Sequence, residues 1–308
     1  MVLLKGSTED RAFFRPTHDA LAGYGLKPAM AISWYPGHMV TARKEAAVAM
    51  RRTDLVIEML DARAPHASCN PMLETLRKEL DRPALKLLNK SDVADPEQTH
   101  AWISYYNSKP GVKAIALTAR KPGDAARILK VAQAMIPGRG TTVKPLRMMI
   151  LGIPNVGKST LMNALLKRHV ANVGDEPAIT KIHMSHKLGD TMMLIDTPGL
   201  MWPGIAHESA VKLAATHSIG RNAYDDGTIA AELGRYILVH YPQQLTQRYG
   251  SIPPETKGEG IVEYVARSRN LLLKAGVLDL NKAAMTLLND FRSGALGRVT
   301  LERVGETL

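Results

Sequence analysis

A single cysteine, Cys69, in 308 residues rules out an intramolecular disulfide framework and fits a reducing compartment, with the thiol as a half-buried small side chain. No stretch approaches the eighteen or so uninterrupted apolar residues that a membrane span requires, and the N-terminus lacks the charged-then-apolar layout of a secretion signal. A cytoplasmic protein with no membrane partner is expected. A mitochondrial address finds support in Arg11 and Arg15, but Glu9, Asp10 and Asp19 run against the acid-poor composition of a transit peptide. Internal repeats and low-complexity tracts are absent as well, which excludes solenoids. Acid is scarce in one place: residues 101–150 carry nine basic side chains against the lone Asp124, whereas residues 201–308 hold 12 Lys+Arg against 11 Asp+Glu. The net charge of +11 therefore belongs almost wholly to the first 200 residues. Such an excess favours a polyanionic partner through counterion release, with RNA the natural candidate, although a solvated face accounts for the charge equally well.

A chain of this length, 45% hydrophobic and 22% charged, has material for about two domains. Residues 1–29 show no periodicity and read as an N-terminal extension. Residues 30–204 alternate short apolar runs with amphipathic segments, the pattern of a mostly parallel, doubly wound α/β sheet. Runs at 55–60, 84–88, 112–117, 148–151 and 192–195 read as five strands, each closed by a polar or glycine-containing loop. Residues 205–308 change to helical spacing at 210–214, 229–245, 262–273 and 283–291, an all-α second domain.

In such sheets ligands collect at the carboxyl ends of strands, and the informative motifs lie there. After the fourth strand comes Gly152-Ile153-Pro154-Asn155-Val156-Gly157-Lys158-Ser159, a complete phosphate-loop pattern leading into a helix from Thr160. Its backbone N–H groups and helix start favour phosphate, Lys158 neutralises β/γ charge, and the Ser159 hydroxyl suits Mg²⁺. Asp196-Thr197-Pro198-Gly199 closes the fifth strand: the carboxylate can hold Mg²⁺ through water, and the Gly199 N–H can sense a γ-phosphate. Thr180, between the two, is the candidate switch hydroxyl for the same metal. Asn89-Lys90-Ser91-Asp92 closes the second strand and matches N-K-x-D. A carboxylate at Asp92 accepts from both N1–H and the exocyclic amine of guanine, which adenine does not offer; Asn89 braces the loop and Lys90 lies along the base. Thr118-Ala119-Arg120 resembles the S-A-K loop, whose central N–H (here that of Ala119) faces the guanine O6. Together these motifs predict a P-loop GTPase that binds GTP and GDP. In ordinary GTPases the base motifs follow the phosphate motifs; here they precede them, so the domain is circularly permuted and its γ-phosphate sensor leads directly into the helical domain.

This order, with Trp34-Tyr35-Pro36-Gly37-His38-Met39 before the first strand and Asp61-Ala62-Arg63-Ala64-Pro65 after it, resembles the ribosome biogenesis GTPase A family over residues 32–308. The tail segment Leu287-Leu288-Asn289-Asp290-Phe291-Arg292-Ser293-Gly294-Ala295-Leu296-Gly297 looks like that family's C-terminal signature. The resemblance implies a GTPase acting in late assembly of the large ribosomal subunit, binding ribosomal RNA and a pre-ribosomal particle as a monomer. Leu200 stands where many GTPases place the glutamine that orients water. The family is thought to use the motif histidine instead, which is His38 here, with Tyr35 in place of phenylalanine. A lone histidine is ordinarily structural, so this role comes from the resemblance. The likeness also makes Asn155 a K⁺ ligand near the phosphates. Pro177-Ala178-Ile179-Thr180 departs from the family's P-G-x-T and gives a stiffer switch.

Two other readings compete. A nucleotide-gated RNA-binding module with negligible hydrolysis draws on Leu200. A permuted GTPase of the small subunit is disfavoured, since neither an N-terminal β-barrel segment nor a cysteine cluster is present. Asp61 and Arg63 fit a strand-end salt bridge as well as a partner contact, and Arg292 and Arg298 are the suggestive arginines of the tail.

Overall fold

The computed structural model of the chain describes residues 36–306 apart from 120, 122, 167–183, 198, 203 and 259, with backbone alone for 36–42 and 184. Its sheet contains β1 (Leu55–Asp61), β2 (Ala84–Asn89), β3 (Val112–Ala116), β4 (Leu146–Gly152), β5 (Met184–Leu188) and β6 (Met192–Asp196) in the order β3-β2-β1-β4-β6-β5. All neighbouring pairs are parallel except β5, which runs antiparallel to β6 at the edge. Five strands coincide with the apolar runs to within two residues at each end. The sixth, β5, was not foreseen: Met-Ser-His-Lys-Leu has no apolar run, and it becomes a strand by pairing back on β6 across the turn at Gly189-Asp190-Thr191.

The parallel strands are largely apolar because both faces are covered, and the charged Glu58 and Lys86 among them are buried as a pair. Leu55, Ile57 and Met59 of β1, with Leu146, Met148 and Ile150 of β4, enter one core, together with Ile128 and Ala132 of α4 (Asp124–Met135) and Leu161 and Met162 of α5 (Lys158–Leu166). Val56, Met149 and Leu151 point to the opposite face, against Ala46 and Met50 of α1 (Pro36–Arg51) and Leu73 and Leu76 of α2 (Pro71–Glu79). On that same face Trp102 and Tyr106 of α3 (Pro96–Asn107) cover Leu60 and Leu88. Two of these helices start on side-chain caps followed by proline: Asn70 accepts from Met72 and Leu73 N–H, and Asp95 from Glu97 and Gln98 N–H.

The helical part contains α6 (His207–Ala215), α7 (Asp226–His240), α8 (Pro242–Tyr249), α9 (Gly260–Ser268) and α10 (Leu280–Ser293). The expected span 229–245 breaks at Tyr241, because Pro242 brings no N–H and opens a new helix. The span 262–273 stops at Ser268, since Asn270 turns to φ 50° and Leu272 pairs instead with Leu278. Helix α6 belongs to two cores at once: Ala210 and Leu213 pack on the sheet side, Val211, Ala214 and Ala215 on the helical side.

A polar seam fastens the two parts. The buried Glu302 carboxylate accepts from His66 N at 2.6 Å and Ala67 N at 3.0 Å, and lies 3.5 Å from Lys212 Nζ on α6. Trp102 Nε1 donates to Glu302 O at 3.1 Å, and Thr300 Oγ1 to Ala62 O at 3.2 Å. The loop after β1 thus serves as the socket for residues 292–302. Replacing Glu302 with alanine leaves the buried Ala67 N–H, the His66 N–H and the buried Lys212 ammonium each short of an acceptor, and should lower unfolding free energy by about 2–5 kcal/mol in urea titration.

Candidate guanine-nucleotide site

The phosphate loop is a turn between β4 and α5 in which Asn155 (φ 57°) and Gly157 (φ 99°) both take the left-handed conformation. This geometry turns backbone N–H groups toward one concavity at the N-terminal end of a helix, where an anion is favoured. A Cβ on Gly157 would lie 2.3 Å from Asn89 Nδ2, so the residue must be glycine for a packing reason besides its torsion. Lys158 is buried with its ammonium 3.5 Å from Asp196 Oδ1. Burial depresses that ammonium below its ordinary pKa against the opposing pull of Asp196. Ser159 and Thr160 follow in the first turn of α5, half-buried.

Asp196 is carried to this place by strand pairing, since it sits opposite Ile150 in the β4–β6 register. Thr197 Oγ1 then donates to Ile150 O at 2.7 Å, and Leu200 N to Gly152 O at 3.2 Å, which holds the D-x-x-G segment along the phosphate loop. Gly199 rests against Pro154: a Cβ there would be 3.3 Å from Pro154 N. Asp196 and Ser159 are hard oxygen donors beside Lys158, a set that suits Mg²⁺ taking its remaining ligands from phosphate and water. Among the described residues no three His, Cys, Asp or Glu side chains cluster into a site that would hold a metal unaided.

The base motifs meet the phosphate loop through Asn89. Its Nδ2 donates to Val156 O at 2.7 Å and its Oδ1 accepts from Ala119 N at 2.9 Å. Asn89 therefore ties the ends of β2, β3 and β4 together, and it takes the Ala119 N–H that the sequence pattern aims at guanine O6, because the β2 and β3 ends lie close enough for the carboxamide to accept it. Lys90, at φ 61°, sends its ammonium to Asn155 O at 2.9 Å and Asp61 Oδ2 at 3.0 Å. What it can present to a base is its aliphatic stem. Thr118 Oγ1 donates to Asp92 Oδ1 at 3.0 Å, so the hydroxyl that stands in place of serine orients the carboxylate.

Sequence reading overlooked several contributors. Asp124, the only acid of residues 101–150, accepts from Thr118 N at 3.0 Å and fixes the loop after β3; its isolation in a basic stretch was the available signal. Asn70 caps α2 and also donates to Leu200 O at 3.0 Å. Asp61 joins the site through Lys90. Arg292, half-buried, is engaged within the fold: it donates to Ala215 O and Ala214 O, each at 2.9 Å, and to the Tyr224 hydroxyl at 3.1 Å. Asn155 Nδ2 donates to His217 O at 2.9 Å, linking the phosphate loop to the turn after α6. Thr180, Tyr35 and the 177–180 segment lie outside the described residues; His38 stands in the first turn of α1, its side chain likewise outside them. The crowding at Gly157 makes a test: Gly157→Ala should weaken GDP binding roughly 5- to 100-fold through strain of about 1–3 kcal/mol, with the circular dichroism spectrum unchanged. Wild-type affinity in that variant would show that the loop's torsions do not hold the phosphates.

Residues 147–230 match the family model described as 50S ribosome-binding GTPase. Ribosome biogenesis GTPase A of Bacillus cereus is 35% identical over 286 residues, covering 89% of this chain and 94% of that one. Its counterpart in Thermotoga maritima is 32% identical over 88% of this chain and 94% of its own length. Mitochondrial ribosome-associated GTPase 1 of Bos taurus is 31% identical over 88% of each chain. Among solved structures, GNP-bound YlqF from T. maritima aligns with a TM-score of 0.60 at 27% identity over 85% of this chain and 98% of that one. A GDP-bound YlqF structure aligns at 0.61 with 26% identity, over 84% and 99% respectively. With phosphate-loop and guanine-loop residues drawn to one edge of a permuted sheet, and with relatives that it spans almost end to end, the chain is a GTPase that belongs to the ribosome biogenesis GTPase A family.

Proposed function

We propose that this GTPase acts in late maturation of the large ribosomal subunit, cycling on pre-ribosomal particles and their RNA as a cytoplasmic monomer. The observation that carries the nucleotide part is the Asn89 bridge, which brings a guanine-type loop onto a phosphate loop at the carboxyl edge of the sheet. The large-subunit part is supported by the matching family, described as a 50S ribosome-binding GTPase, and the ribosomal part by relatives that are ribosome biogenesis GTPases. No described helix is long and apolar enough to cross a membrane. The RNA part is supported by charge placement: Lys109, Lys113, Lys121, Lys130 and Lys144 are all exposed, on edge strand β3, helix α4 and their connections.

In this reading Asn89, Lys90, Asp92, Thr118 and Ala119 receive the base. Asn155 to Thr160 receive the phosphates, Gly199 senses the γ-phosphate, and Ser159, Asp196 and Thr180 hold Mg²⁺. The metal supplies charge neutralisation between the β- and γ-phosphates when bound. Leu200 is buried against Met50, Leu73 and Leu76, so it shapes the core beneath α1 and leaves water orientation to another group. Helix α1 precedes β1 by a three-residue turn and packs on the sheet through Ala46 and Met50, and this reading takes its first turn, with His38, to face the edge bearing the phosphate loop. An imidazole there can orient the attacking water. K⁺ beside Asn155 is the further cofactor of this reading, adding positive charge at the β/γ bridge. The contacts of α6 with both cores support a mechanical coupling in which release of Gly199 shifts the helices that follow.

The deciding experiment measures GTP hydrolysis in KCl or NaCl, with and without purified large subunits, for wild type and His38→Ala. Turnover should rise with large subunits and with K⁺, and fall about a hundredfold in the variant while GTP affinity stays within about twofold. Turnover indifferent to subunits would sink the assembly role, and turnover unchanged by His38→Ala would leave a nucleotide-gated RNA binder. For the basic face, Lys121→Gln and Lys130→Gln should each flatten the salt dependence of particle binding by about one ion. An unchanged slope would remove that face from the RNA interface.

A further inference from the structure

The Asp61-Ala62-Arg63 segment closing β1 takes no direct part in reading phosphate or base, yet both of its charged side chains are buried, Asp61 at 0% and Arg63 at 1% exposure. Charges persist in such a place only when paired and hydrogen-bonded on every side. Arg63 forks onto Asp61, Nε to Oδ1 at 2.9 Å and Nη2 to Oδ2 at 2.8 Å, and Arg63 N also donates to Oδ1 at 3.0 Å. The rest of its guanidinium is held from behind by the carbonyls of Arg292 (3.2 Å) and Thr216 (3.5 Å), with its plane 5.1 Å above the Phe291 ring. The C-terminal segment therefore seats the very arginine that seats Asp61. Burial alone would push the Asp61 carboxyl up, but Arg63 and Lys90 hold it well below the usual carboxylate range, so it is an anion at any working pH.

That anion has one more partner, and it belongs to the base loop. Asp61 Oδ2 lies 3.0 Å from Lys90 Nζ, which in turn donates to Asn155 O of the phosphate loop at 2.9 Å. The Lys90 side chain is 27% exposed and its backbone sits at φ 61°, so without a fixed anion its ammonium is free to turn to water. We propose that Asp61 is a positioning residue for guanine-nucleotide binding: clamped by Arg63, its carboxylate pins the Lys90 ammonium over the Asn155 carbonyl and thereby sets the base loop against the phosphate loop. The proposal rests on Asn89-Lys90-Ser91-Asp92 being the guanine-reading loop. It also accounts for a lysine rather than a shorter residue at position 90, because a long stem is needed to reach both Asp61 and Asn155 while lining the base.

The test measures binding of a fluorescent GDP analogue to the full chain for Asp61→Asn, Lys90→Met, the double variant, Asp92→Asn and Glu58→Gln, with melting followed in parallel. Asp61→Asn should bind roughly tenfold more weakly, the range for a lost hydrogen bond between charged groups. Because Asp61 acts through Lys90, the double variant should bind no more weakly than Lys90→Met alone. Glu58→Gln, also on β1, breaks a comparably buried pair with Lys86 of β2, and should lower the melting temperature while keeping affinity. Losses that add in the double variant, wild-type affinity in Asp61→Asn, or an equal affinity loss in Glu58→Gln would each overturn the proposal. Should Asp61→Asn fail to fold, the double variant removes both charges of the pair and still carries the comparison with Lys90→Met. The underlying reading of the loop fails separately, through an unchanged preference for GDP over ADP in Asp92→Asn, and the proposal would fall with it.

Discussion

The carboxamide of Asn89 donates to the phosphate loop at Val156 O and accepts from Ala119 N, and the geometry of the nucleotide edge follows from those two bonds. An amide is the side chain that can do both at once, offering a donor and an acceptor about a carbon apart. A carboxylate would set an acceptor against the Val156 carbonyl, and a hydrocarbon would leave two buried backbone groups unpaired. The same carboxamide fills the space above Gly157, so loop torsion, glycine identity and strand-end spacing are one constraint seen from three sides.

Around this bridge the charges are arranged in a chain. Asn155 O, Lys90, Asp61, Arg63 and the carbonyls of Thr216 and Arg292 follow one another, leading from the phosphate loop to the end of α10. Asn155 reaches the same helical part by a second route, through His217 O. Helix α6, which follows the D-x-x-G segment, is shared between the sheet core and the helical core. Permutation places the D-x-x-G segment directly before these helices, so the chain runs from one to the other without a long linker.

Much of this was legible in the amino-acid order. The strands declared themselves as apolar runs because a parallel sheet covered on both faces demands them, and the motif loops sat at their carboxyl ends as the fold class requires. The edge strand β5 stayed hidden because its buried position is the polar His186, between exposed Ser185 and Lys187, so no apolar run marks it. The break at Tyr241 was signalled by Pro242, which the periodic run 229–245 had overridden. Asp124 and Thr118 were each visible, one as an isolated acid and one as a hydroxyl in a serine position, but their shared task of fixing the base loop was not.

The sequence by itself determined the fold class, the permuted order of the motifs and the strand ends at which the motif loops stand, because those depend on local spacing and on residue chemistry at strand ends. Only the tertiary structure decided which charges serve the site and which serve the seam. Arg292 proved to be tied to the end of α6 and Asp61 to Lys90 of the base loop, because burial makes an ion's partners the determinant of its role. Those partners come from residues such as Thr216 and Arg292, which lie more than 150 positions along the chain from Arg63.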